Sequence, residues 1–285
     1  MPSLPPIEPD VAAHAEDATH GGTFDAPAAL PESETGRDDL IEYLLRLGDD
    51  SLILGQRLIE WCGHAPALEV ELSLANVALD LIGQATLFLG VGGEMEDRGR
   101  DADRLAFHRD VLQFRNCLMV EQPNGDFART MARQFLFSTY QLGLFEALTA
   151  STEPRIAEIA AKAVKEVRYH AELSADWIVR LGDGTDESRG RMIDGFDWHW
   201  RFVGELFEVD AVEQRLIDAG IAADRVALRG PFDAVVAKVL SDATLPPPGY
   251  PRAVVGGRKG HHSEHLGPLL ATMQYVQRAY PDATW

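Results

Sequence analysis

Cysteine is almost absent from this chain: of 285 residues only Cys62 and Cys117 carry a thiol, far apart and each in an apolar-patterned segment. That argues against a disulfide framework or a cysteine-based metal cluster and fits a reducing compartment. Basic residues are also scarce. Twenty-six Lys and Arg stand against 45 Asp and Glu, a formal net charge of -19, which opposes non-specific binding to nucleic acid or anionic membrane. No apolar run reaches the ~18 residues of a bilayer span. The start "MPSLPPIEPDVAAHAED" has neither the basic opening nor the apolar stretch of a secretory signal. The expectation is a cytoplasmic, soluble chain whose partners are proteins or small molecules, with no nucleic acid and no membrane.

What is present suits a large globular domain: 46% of residues are apolar and 25% charged. Residues 1–37 hold six of the 16 prolines and show no sustained period, so they read as a disordered, acidic and proline-rich tail ahead of a domain over 38–285. From Asp38 onward, Leu40, Ile41, Leu44, Leu45, Leu47, Leu52, Leu58 and Ile59 recur at three- and four-residue steps, an amphipathic helix that "WCGHAP" ends. Pro66 opens a second helix carrying Leu68, Leu72, Ala75, Leu79, Ile82 and Phe88 as far as the glycines of "GVGGE". A shorter helix over about 101–119 precedes a turn at Asn124-Gly125, with Asp126 as the next N-cap.

Two long helices follow, over about 127–150 and 154–181, split by "STEP" with Ser151 or Thr152 as cap and Pro154 in the first turn. Further helices are predicted over 187–208, 224–241 and 262–280. Four long helices in two hairpins, with little two-residue alternation anywhere, predict an all-α fold: a ferritin-like four-helix bundle with accessory helices.

Bundles of that kind hold two metal ions with a Glu on each of two helices and Glu-x-x-His on each of the other two. Here the only acid-x-x-His match is Asp17-Ala-Thr-His20, in the tail. In the fourth long helix the spacing is Glu166-Val-Arg-Tyr-His170, one residue too long, and 86 residues earlier Asp80 and Gln84 keep the same offset. Asp80, Gln84, Glu166 and His170 therefore read as a degenerate site, a polar network with no metal and no catalytic residue. Residues four apart share a helix face, so an atypical di-metal site around Asp80, Glu166 and His170, with Asp49 or Glu60 adding a carboxylate, is the competing reading. Against it, the helix from 127 has no carboxylate between Asp126 and Glu146. Asp49, Asp50 and Glu60 are more simply surface or interface charge.

The stretch "GGRKGHHSEHLG", 256–267, offers two further chemistries. Arg258 and Lys259 ahead of a helix start could receive a phosphate or CoA, and His261, His262, Glu264 and His265 could hold zinc. Neither a Walker nor a standard zinc spacing is present, which favours a capped helix start at a protein interface.

Six ordered stretches, "RLGDDSLILGQRLIEWCGHAP", "LANVALDLIGQA", "VEQPNGDFA", "AKAVKEVRYH", "WIVRLGDGT" and "HSEHLGPLLATMQYVQR", resemble the non-catalytic ferritin-like subunits (PaaC, beta) of the bacterial 1,2-phenylacetyl-CoA epoxidase. The resemblance runs from about residue 43 to Trp285. It implies a structural subunit that pairs with and stabilises a catalytic di-iron subunit. The surrounding complex would contain further epoxidase subunits and a reductase that passes electrons from NADPH through flavin and iron–sulfur groups. It implies no cofactor in this chain and transfers no metal ligand or catalytic residue. Aromatic and aliphatic residues of the first hairpin are expected to form part of the contact with the partner.

Overall fold

The leucine stripe of the first segment folds as α1, Glu34–Ile59, which starts four residues ahead of Asp38. Residues 34–249, 252–281 and 283 are described in this computed structural model; the expected tail, as far as residue 33 and with it Asp17 and His20, lies outside the described residues. Gly63, at φ +79, turns the chain after α1, and α2, Leu68–Glu96, packs back along it. Leu40, Leu44, Leu47, Leu52 and Leu58 of α1 are buried against Leu74, Val77, Leu81, Phe88 and Leu89 of α2.

The second helix does not stop at the glycines. It runs through Gly90, Gly92 and Gly93, and at Gly93 close packing rather than a turn is what the glycine serves. A Cβ at Gly93 would lie 2.0 Å from the carbonyl oxygen of Arg100, and one at Gly48 of α1 would lie 2.7 Å from Leu89. By length and a mean hydropathy of 1.6, α2 could cross a membrane; half of that apolar stretch is buried inside the fold, as in a core helix.

The helix predicted over 101–119 is broken into α3, Ala102–Phe107, a 3-10 turn at Val111–Gln113, and α4, Leu118–Glu121. Buried Asp49 draws Arg109 and the Arg115 N–H toward α1, and an unbroken helix would carry them away. The turn at Gly125, φ +62, and the Asp126 cap, accepting from the Arg129 N–H at 2.8 Å, stand where the sequence placed them. They open α5, Phe127–Leu148. Glu153, rather than Ser151 or Thr152, caps α6, Pro154–Gly182, with its carboxylate on the Arg155 N–H; Ser151 accepts from the Glu153 N–H instead.

Four accessory helices complete the unit: α7, Asp186–Leu206; α8, Ala211–Asp218, too short to show in the periodicity; α9, Arg229–Asp242; and α10, Leu266–Ala279. Each regular element among the described residues is helical. The hairpins α1/α2 and α5/α6 make the four-helix bundle, with α2 against α6, α7 against α5, and α9 in the groove of α5 and α6.

Candidate functional site

Each of the four long helices sends one polar side chain to a common point. Gln141 of α5 donates from Nε2 to Ser51 Oγ of α1 at 3.2 Å and to Gln84 Oε1 of α2 at 3.3 Å. Gln84 in turn donates from its own Nε2 to Glu166 Oε2 of α6 at 3.0 Å. One turn away His170 Nε2 lies 3.0 Å from Asp80 Oδ2. The carboxylate can only accept, so His170 donates from Nε2, and its Nδ1 is buried without a partner. Because 84 meets 166 while 80 meets 170, α2 and α6 run antiparallel here. A crevice of about 120 Å3 opens onto this layer beside Asp80, Gln84 and Glu166, with Lys162 at its edge.

The equal offset in the two segments thus brings all four predicted positions together. Ser51 and Gln141 are the members that sequence reasoning missed; the run of neutral residues through the middle of α5 is the signal that could have found Gln141. Among the described residues, no three or more His, Cys, Asp or Glu side chains converge so as to hold one metal ion. Toward this centre α1 and α5 contribute a hydroxyl and a carboxamide, where a di-metal bundle uses a carboxylate from each.

Asp49 and Asp50, expected as surface or interface charge, are buried instead, at 0% and 3% exposure. Asp49 faces both Arg109 Nη atoms and accepts from the Arg115 N–H at 2.8 Å. Asp50 accepts from the Cys117 N–H at 2.7 Å and from Arg258 Nη2 at 2.6 Å. A charge buried at that depth needs such partners. Glu60 is half exposed and holds Arg57 at 2.9 Å and Asn124 at 3.0 Å.

The 256–267 stretch is occupied by the protein itself. Arg258 is buried on Asp50 and on the carbonyls of Arg46 and Arg115, at 3.2 and 2.9 Å, while Lys259 is exposed, so the two cations do not converge. Burial opposes the Arg258 charge, but the Asp50 carboxylate together with Cys117 and Tyr140 outweighs it and holds the pKa above its ordinary value. The loop does receive an anion, an internal one. Glu205 Oε1 accepts from the Gly256 and Gly257 N–H groups, both at 2.8 Å, and Oε2 from Leu118 N–H at 2.6 Å. Burial raises the Glu205 pKa, and these three bonds oppose the rise.

The histidines are likewise dispersed. His262 Nδ1 is 2.7 Å from Glu121 and Nε2 is 3.1 Å from the Phe114 carbonyl, His261 is exposed, and His265 lies 3.8 Å from Glu264. The predicted helix start at 262 falls instead at Leu266. Neither Cys62, exposed, nor Cys117, buried, is in a disulfide.

Two helical hairpins closing on a mostly neutral polar centre define a ferritin-like bundle whose middle is joined by carboxamides. The family described as phenylacetic acid catabolic protein matches residues 24–285, and the chain belongs to it. The match begins well before residue 43, where the resembling stretches start. The C component of the 1,2-phenylacetyl-CoA epoxidase of Escherichia coli (strain K12) is similar, 49% identical over 248 residues that cover 87% of this chain and 100% of that protein.

Proposed function

We propose that this chain is the structural, non-catalytic subunit of a multicomponent di-iron monooxygenase that epoxidises the ring of phenylacetyl-CoA in aerobic phenylacetate catabolism. In this reading it pairs with the catalytic di-iron subunit and stabilises it in the cytoplasm, and further subunits and a reductase complete the complex. The likeness to an epoxidase component supports the setting. The observation that carries the non-catalytic role is the bundle centre. Ser51, Gln84 and Gln141 are neutral, and the acids Glu166 and Asp80 are engaged by Gln84 and His170. That donor set does not fit a di-iron centre, which calls for carboxylates from all four helices.

The first hairpin supports the pairing. Leu68, Leu72 and Leu79 line the outer face of α2 at 67%, 57% and 62% exposure. Covering a leucine fully is worth about 1.5–3 kcal/mol, and three at helical spacing make a row of anchors for a partner helix. The test is to purify the chain alone, incubate it anaerobically with ferrous iron, remove loose metal and count iron. The expected result is near zero, with complex formation on adding the catalytic relative and loss of that complex in Leu72→Lys with Leu79→Lys. About two irons per chain, abolished by Glu166→Ala with His170→Ala, would overturn the reading in favour of a di-metal oxidase built on Asp80, Glu166 and His170.

A further inference from the structure

The bundle leaves room for a guest on the side served by α9, at a place that shares no residue with the crevice of Asp80 and Glu166. We propose that the cavity between α5, α6 and α9 is a binding site for a small uncharged aromatic or aliphatic molecule carrying at most one hydroxyl. It is open to solvent along one side and has a volume of about 310 Å3, within the range of small-molecule sites.

Three small residues of α5 and α6 among the lining, Gly143, Ala171 and Ala175, leave the space open toward α9. A Cβ added at Gly143 would meet a single neighbour, Leu228, at 3.9 Å. Phe135 and Phe232, 1% and 3% exposed, stand among the walls. An apolar cavity offers water too few partners to hold it and takes an apolar guest instead.

Two polar features narrow the class. Thr139 Oγ1 lies in the lining, buried and without a hydrogen-bond partner, and a guest hydroxyl would relieve that. At the rim Arg168 is already paired with Glu146 at 2.7 Å, and Glu172 adds a second carboxylate. Two acids against one base disfavour an anionic guest.

The test is fluorine NMR titration of the full chain with fluorobenzene, 4-fluorophenol and 4-fluorobenzoate. Both neutral probes should bind saturably, the phenol about fivefold more tightly through Thr139, and the benzoate most weakly. Gly143→Leu fills the space, and leucine is the better helix former; it should weaken both neutral probes at least about tenfold. Ala175→Leu serves as a second block should the first variant lose its helical circular dichroism. Thr139→Val should erase the preference for the phenol while sparing fluorobenzene. Absence of saturable binding, indifference to both blocking variants, or tightest binding of the benzoate would each overturn the proposal.

Discussion

Two buried polar regions meet α1, and they are built from different materials. On the side of Ser51 the contacts run through hydroxyl and carboxamide groups to Glu166, with single hydrogen bonds of 3.0–3.3 Å and a crevice alongside. On the side of Asp49 and Asp50 the groups are ionised, and each carboxylate is met by an arginine and a backbone N–H. Charge thus stands where it ties loops onto a helix and is sparse at the centre of the four long helices. The ionic region fastens two connecting segments to the bundle: Arg258 joins the segment before α10 to Asp50, and Glu205 joins that segment and α4 to α7.

The comparison is broken most directly at Asp50. Asp50→Ala leaves Arg258 buried without its carboxylate, and losing one partner of a buried pair costs about 3–5 kcal/mol. Urea unfolding should show that loss, whereas Asp50→Leu with Arg258→Met should recover most of it, since a buried pair can be replaced by apolar packing. A single-variant cost under about 1 kcal/mol would mean that the ionic region behaves like a surface pair. Glu205→Gln comes next. The amide keeps one accepting oxygen for three N–H groups, and leaving donors unmet costs about 1–3 kcal/mol. Amide hydrogen exchange should quicken at Gly256, Gly257 or Leu118 before it does in α5.

The neutral centre should respond less. Gln84→Leu removes one bond to Glu166 and one from Gln141, but Glu166 lines the crevice and can turn to water, so a loss of about 0.5–1.5 kcal/mol is expected. A loss as large as that of Asp50→Ala would erase the distinction between the regions.

Much of this architecture was legible because helix periodicity and caps are local. The two hairpins, the Asn124-Gly125 turn, the Asp126 cap and the pairing of Asp80 and Gln84 with Glu166 and His170 all follow from spacing. The rest depends on partners remote in sequence. Nothing near Asp50 announces that Arg258, 208 residues on, will meet it, so the acid read as surface charge. The same holds for Glu205, whose three N–H donors lie 51, 52 and 87 residues away. Periodicity named Leu68, Leu72 and Leu79 as residues of the second helix without telling which face they take: they are exposed, while Leu74, Leu81 and Leu89 fill the core.

The smallest effect expected is a pH dependence, and it belongs to the ionic region. Both ring nitrogens of His262 face acceptors, the Glu121 carboxylate and the Phe114 carbonyl, so only the doubly protonated ring satisfies both. Burial opposes that charge, and the bonds to Glu121 and Phe114, with Glu121 and Asp49 attracting it, raise the pKa above the ordinary histidine value. A raised folded pKa gives stability that is full below the unfolded value of ~6.5 and declines as pH rises through the folded value. The stability difference between the parent chain and His262→Gln, followed by thermal unfolding, should therefore shrink on going from mildly acidic to alkaline pH. A difference that stays flat, or grows with pH, would show that His262 sits on Glu121 as a neutral ring and that the ionic region ends at Asp50 and Glu205.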